Sequence, residues 1–151
     1  MNILIYGLNY APEVTGTGKY TGEMATWFAE RGHRVEVICG LPHYPQWELH
    51  PGYADGRARS EQIDGVRVQR APHFVPPINA LSAKGRIRLE TSFTLSAGRY
   101  WLRRLFAWRR PDVVFAVMPP MQIGVWPLLY RWVRRVPWVL HVQDLQVDAA
   151  E

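Results

Sequence analysis

Three short stretches carry the residue types and spacings that could do chemistry. Thr15-Gly16-Thr17-Gly18-Lys19-Tyr20 sets two glycines among hydroxyls just ahead of a helical pattern. Backbone N–H groups in such a loop approach an anion closely, and the helix dipole adds favourable potential. Gly16, Thr17 and Gly18 are therefore candidate phosphate-binding residues, with a plain glycine turn as the alternative. A Walker A loop would need Gly where Glu13 stands and Ser or Thr where Tyr20 stands, and a dinucleotide fingerprint would need Gly in place of Thr21. The second stretch, Leu140-His141-Val142-Gln143-Asp144-Leu145-Gln146-Val147-Asp148, puts His141 and Asp144 at the end of an apolar run, where a carboxylate could orient a hydroxyl or accept its proton. A core histidine and a helix-capping aspartate are the competing readings. The third, Leu41-Pro42-His43-Tyr44-Pro45-Gln46-Trp47, offers rings with polar tips. His43, Tyr44 and Trp47 suit the face and hydroxyls of a sugar, or form a packed Pro-aromatic loop with no ligand.

The elements that must position these stretches alternate between strand and helix. A nearly continuous apolar run, Ile3-Leu4-Ile5-Tyr6-Gly7, reads as a first strand covered on both faces. Tyr20, Met24, Trp27 and Phe28 recur at three- and four-residue steps and mark a helix that ends near Gly32. Val35-Glu36-Val37-Ile38-Cys39 completes a strand-helix-strand unit of the size of a right-handed parallel crossover. Residues 41–62, rich in Pro, Gly and aromatics, read as a long loop, and residues 65–70 as a third strand. A long helix over residues 82–108, a strand over 112–117, a helix over 120–135 and a fifth strand over 137–142 follow. The predicted fold class is α/β, a Rossmann-like, doubly wound parallel sheet. Ligands of such sheets collect at the carboxyl ends of the strands, where all three stretches fall.

The 151 residues amount to one domain, 48% hydrophobic and 21% charged, which excludes a disordered tail. A single cysteine, Cys39, excludes a disulfide framework and a cysteine-based zinc site, and no His/Asp/Glu set has metal-ligand spacing. The net charge of +5 is unevenly placed: residues 81–135 hold 11 Lys/Arg against 2 Asp/Glu, and the rest of the chain is net acidic. Within the basic part, Arg103, Arg104, Trp108, Arg109 and Arg110, followed by a second segment over residues 130–135, suit an anionic membrane surface. A solvated basic helix face is the alternative; nucleic acid is not expected, because no recognisable binding motif is present. Residues 113–130 contain no charge, but Pro119, Pro120 and Pro127 argue against a membrane span. The first residues lack a cationic, signal-like start, so a cytoplasmic location is expected.

Asn9-Tyr10-Ala11-Pro12-Glu13-Val14-Thr15-Gly16-Thr17-Gly18-Lys19-Tyr20-Thr21-Gly22-Glu23-Met24, Arg31-Gly32-His33-Arg34-Val35, the aromatic stretch from Pro42 to Trp47 and the stretch from Leu140 to Ala149 together resemble the N-terminal domain of family 4 retaining glycosyltransferases. The resemblance runs from Met1 to Glu151. It implies the N-terminal half of a GT-B fold, in which two Rossmann-like domains face a cleft. It also implies metal-independent transfer, without a cofactor, from a nucleotide-sugar donor to an acceptor, here expected to be a lipid-linked saccharide of exopolysaccharide assembly at the inner face of the cytoplasmic membrane. On that likeness Gly16, Thr17 and Gly18 approach the donor diphosphate, while Tyr44, His141 and Asp144 line the cleft. Many members carry a histidine just after the fourth strand, where this chain has Val117-Met118-Pro119-Pro120. The C-terminal, nucleotide-sugar-binding domain is expected in cis or in trans, and the 151 residues alone are expected to be inactive. A non-catalytic Rossmann-like binding module, or half of a split enzyme, is the alternative.

Overall fold

The computed structural model describes residues 1–143; Asp144 and Asp148 lie outside the described residues. The elements run β1 (Asn2–Tyr6), α1 (Gly16–Glu30), β2 (Arg34–Gly40), β3 (Arg59–Ile63), β4 (Val66–Ala71), α2 (Ala83–Leu105), β5 (Val113–Met118), α3 (Val125–Arg134) and β6 (Trp138–Val142). They build one sheet in the order β3-β4-β2-β1-β5-β6. β3 is antiparallel to β4, and every other neighbouring pair is parallel.

Strand periodicity divides the core in two. Leu4 and Tyr6 of β1 meet Leu89, Phe93, Ala97 and Trp101 of α2 and Tyr130 of α3 on one face. Ile3 and Ile5, with Val35 and Val37 of β2, meet Met24, Ala25 and Phe28 of α1 on the other. Because successive side chains of a strand point to opposite faces, continuous apolar strands require helices on both sides, and the doubly wound arrangement follows. Tyr6 stacks on Phe93 and meets Trp101 edge-on, with ring centroids 5.4 and 5.2 Å apart. Several aromatics of the basic segments are thereby committed to the core: Trp101 and Tyr130 are each 1% exposed.

Two departures from the expected elements have local causes. The sheet has six strands rather than five, because Asp64 and Gly65, at φ +47° and +79°, form a two-residue turn that folds β3 back onto β4 with Ile63 opposite Val66. A turn with positive φ at both positions matches the twist of paired strands, and Gly adopts it without a Cβ penalty. The helix expected over 120–135 is divided: a 3₁₀ turn over Met121–Gly124 precedes α3. α2 starts where Ser82 accepts the Gly85 N–H at 3.2 Å, and it ends before Pro111. Among the described residues no helix is long and apolar enough to cross a membrane.

Candidate functional site

The carboxyl ends of the parallel strands frame a cavity of about 520 Å³. Leu8 and Asn9 come from the loop after β1, and Gly16, Thr17 and Tyr20 from the start of α1. His43, Tyr44 and Trp47 come from the loop after β2, Leu81, Arg86, Leu89 and Glu90 from the entry and first turns of α2, Pro119 and Pro120 from the loop after β5, and Gln143 from the end of β6. The glycine-rich and aromatic stretches, more than 20 residues apart in sequence, thus share one concavity.

The glycine loop opens onto it with an uncapped helix end. Thr15, the N-cap residue of α1, makes no side-chain capping bond, and the first turn carries no acidic residue. The leading amides are left to accept an anion. Gly16 sits at φ +58°, and a Cβ there would lie 3.2 Å from the Tyr44 ring, so backbone conformation and close approach both require glycine. Gly18 is buried and does not line the cavity. A Cβ on it would lie 2.5 Å from the Glu13 carboxylate and 2.8 Å from the Glu13 Cβ, so its missing side chain makes room for Glu13.

The aromatic loop is held by buried polar groups. His43 is 1% exposed, and its Nδ1 lies 3.0 Å from the Leu41 carbonyl. Burial pushes its pKa down to about 4, so near neutral pH the ring is uncharged and Nδ1–H donates to that carbonyl. The Nε2 position is then an acceptor. His73 meets the His43 ring edge-on at 4.8 Å and is likewise held down to about 4 by burial. Trp47 packs against both His43 and Tyr44, with centroids 5.9 and 6.2 Å apart.

His141 and the basic residues are placed elsewhere. His141 is half-buried on β6 opposite Val117 and does not line the cavity. Arg103, in the last turn of α2, and Trp108, Arg109 and Arg110, just beyond it, are exposed, Trp108 almost completely at 99%. Arg104 does not belong to that surface. Its guanidinium turns inward to Glu36 of β2 at 2.6 Å, with only 14% of the side chain accessible. The α-helical period places residue 104 on a different side of the helix from residue 103, an assignment that charge clustering in sequence does not register.

Four residues of consequence escaped the sequence reading. Arg86, half-buried, adds a cation to the cavity wall, and the Glu90 carboxylate accepts the Met121 N–H at 3.1 Å. Their i,i+4 spacing, which places both on one face of a helix, was the available signal. Glu13 is 3% exposed and accepts three hydrogen bonds. Arg70 of β4 is fully buried; it donates to Gly40 O at 3.1 Å, to Ala11 O and to Glu61, tying the strand end to the loop that carries Glu13. Among the described residues no group of three or more His, Cys, Asp or Glu side chains could hold a metal ion.

Comparison with known proteins bears on family and fold. Residues 15–151 match the family described as Glycosyl transferase 4-like domain. The chain is 38% identical over 153 aligned residues to a glycosyl transferase of Escherichia coli (strain K12), WcaI, whose name assigns it to colanic acid biosynthesis. That match covers 99% of this chain and 35% of the relative's length. Among solved structures, the catalytic domain of starch synthase IV from Arabidopsis thaliana, bound to ADP and acarbose, superposes with a TM-score of 0.61 over 93% of this chain and 33% of that one. At 14% identity, that likeness concerns the fold alone.

Proposed function

We propose, from the premise that this chain belongs to the glycosyl transferase 4-like family, that it is the acceptor-side half of a two-domain retaining glycosyltransferase. The reaction moves a sugar from a nucleotide-sugar to a lipid-linked saccharide in exopolysaccharide assembly. A second domain, in cis or in trans, holds most of the nucleotide. The observation that carries this reading is the uncapped N-terminus of α1, with Gly16 and Thr17, opening onto the same cavity as His43, Tyr44 and Trp47. Such a cavity meets the donor diphosphate at one wall and stacks a sugar ring at the other. The Nε2 of neutral His43 offers a hydrogen-bond acceptor to a sugar hydroxyl there, and Arg86 adds positive potential beside the phosphates. Asp144, outside the described residues, is proposed to join the cleft from the strand-end side. Neither metal nor cofactor takes part in this scheme, the nucleotide-sugar being a substrate.

The basic surface supports work at an anionic leaflet. Arg134 donates to Leu105 O at 3.0 Å and to Ala107 O at 2.8 Å, and Arg110 donates to Arg134 O at 2.9 Å. The ends of α2 and α3 are thereby joined into one patch that exposes Phe106, Trp108 and Trp132 among arginines. Ile87, Leu95, Leu102 and Phe106 extend it as an exposed apolar stripe along α2.

The test is a transfer assay on a two-domain protein that carries this chain, with labelled nucleotide-sugars and membrane lipid extract. Label should enter a lipid-soluble product with the donor's anomeric configuration, undiminished by EDTA. Gly16→Val should lower the rate more than tenfold; an unchanged rate would remove the phosphate role.

A further inference from the structure

The buried carboxylate of Glu13 touches no solvent and salt-bridges no Lys or Arg, yet it joins the two loops that make the cavity. One oxygen accepts both the His43 N–H at 2.9 Å and the Tyr44 N–H at 3.0 Å, and the other accepts Asn9 Nδ2–H at 2.9 Å. Its backbone lies three residues before Gly16. The aromatic loop is thus hung, through two consecutive amides, from the loop that leads into α1. Tyr44 is then seated against Gly16, where a Cβ would come within 3.2 Å of the ring. Gly18 completes the fit, because any side chain there would enter the space of the Glu13 carboxylate.

We propose that Glu13 is a positioning residue whose side-chain length sets the separation between the glycine loop and the aromatic loop across the cavity. It reaches no ligand; it acts through the His43 and Tyr44 amides. The proposal deepens the reading of the cavity as the transfer site and rests on that reading only for its consequence in ligand binding.

Length and charge make opposite demands on substitutions. Glu13→Gln keeps the reach: its amide oxygen still accepts the two loop N–H groups, and the Asn9 amide turns over to accept from the new NH2. Glu13→Asp keeps the charge but withdraws the oxygens by about one C–C bond, roughly 1.5 Å, which breaks hydrogen bonds of ordinary length. The experiment is amide hydrogen exchange by NMR on this chain, with the core amides of β1 and β2 reporting overall folding. Glu13→Asp should raise exchange at His43 and Tyr44 by tenfold or more relative to those core amides, while Glu13→Gln stays near wild type. Protection retained in Glu13→Asp, or lost equally in Glu13→Gln, overturns the proposal.

Titration with inorganic pyrophosphate separates it from the functional reading. Shifts at the Gly16 and Thr17 amides that weaken several-fold in Glu13→Asp and not in Glu13→Gln support both. If wild type shows no such shifts, the phosphate reading fails, and the exchange pattern still decides the role of Glu13.

Discussion

Gly16 is the residue at which conformation and packing converge most tightly. A Cβ in the left-handed region costs about 1–2 kcal/mol, and at this position it also presses on the Tyr44 ring. Gly16→Ala should therefore lower the thermal midpoint by about 2–8 °C. Gly52→Ala, where no atom lies within 4 Å of the added Cβ, is the control and should change it little. Equal shifts in the two variants would show that the Tyr44 seat has no special demand. His43 and His73 make a second prediction. Their folded pKa values, about 4, lie below the ordinary value of 6.5, so between those limits the unfolded chain binds more protons and stability falls as pH falls. The loss should reach about 2 kcal/mol per imidazole between pH 6.5 and 5, and urea midpoints across that window measure it. Glu13, whose carboxyl is pushed above its ordinary value by burial, acts in the opposite sense: its contribution falls as pH rises above 4.5 toward its folded value. A midpoint independent of pH between 6.5 and 5 would contradict neutral buried imidazoles.

Among the elements, the β3–β4 hairpin does more than widen the sheet. Glu61 on β3 pairs with Arg70 on β4, and the same guanidinium reaches Gly40 O and Ala11 O, so the hairpin braces the base of both cavity loops. Arg70→Met strands a carboxylate and two carbonyls, and should destabilise the fold by about 3–5 kcal/mol. Adding Glu61→Leu should recover part of that loss, because the orphaned charge is then removed as well. Urea unfolding of the single and double variants gives the comparison; additive losses would mean that the pair does not act as a unit. Arg104 and Glu36 similarly fasten α2 to β2, and their exchange for apolar residues should alter stability without touching a surface property.

Across the whole molecule, the cavity and the basic patch occupy opposite ends of α2. The helix begins at the cavity wall and runs 23 residues, about 34 Å, before the Trp108 region. A membrane meeting only the patch would lie far from the cavity. The apolar stripe of Ile87, Leu95, Leu102 and Phe106 joins the two ends, so under the proposed membrane contact α2 would lie along the leaflet and bring both to the surface together. Sedimentation with vesicles containing anionic lipid should capture the chain at low salt and release it at high salt. The combined Trp108→Ser and Arg109→Ser substitution should reduce capture severalfold, as should Leu95→Ser in the stripe, whereas Arg104→Met should not. Capture by neutral vesicles that resists salt would contradict the electrostatic component.

Sequence alone determined what depends on local pattern. Apolar strands alternating with amphipathic helices specified a doubly wound sheet. The glycine, aromatic and strand-end stretches were recognisable because loops at the carboxyl edge of such a sheet must carry the chemistry. The Asp64-Gly65 turn was also written there, as a short-range hairpin signal, but the Pro- and Gly-rich stretch before it masked β3. Tertiary structure decided which polar groups are buried and with whom. Glu13, Arg70 and Arg104 look in sequence like any surface charge, and all of these partners but Asn9 lie 9 to 68 positions away. Burial and pairing of a charge depend on where the chain returns in space, so the brace behind the cavity became visible only once the sheet had closed over it.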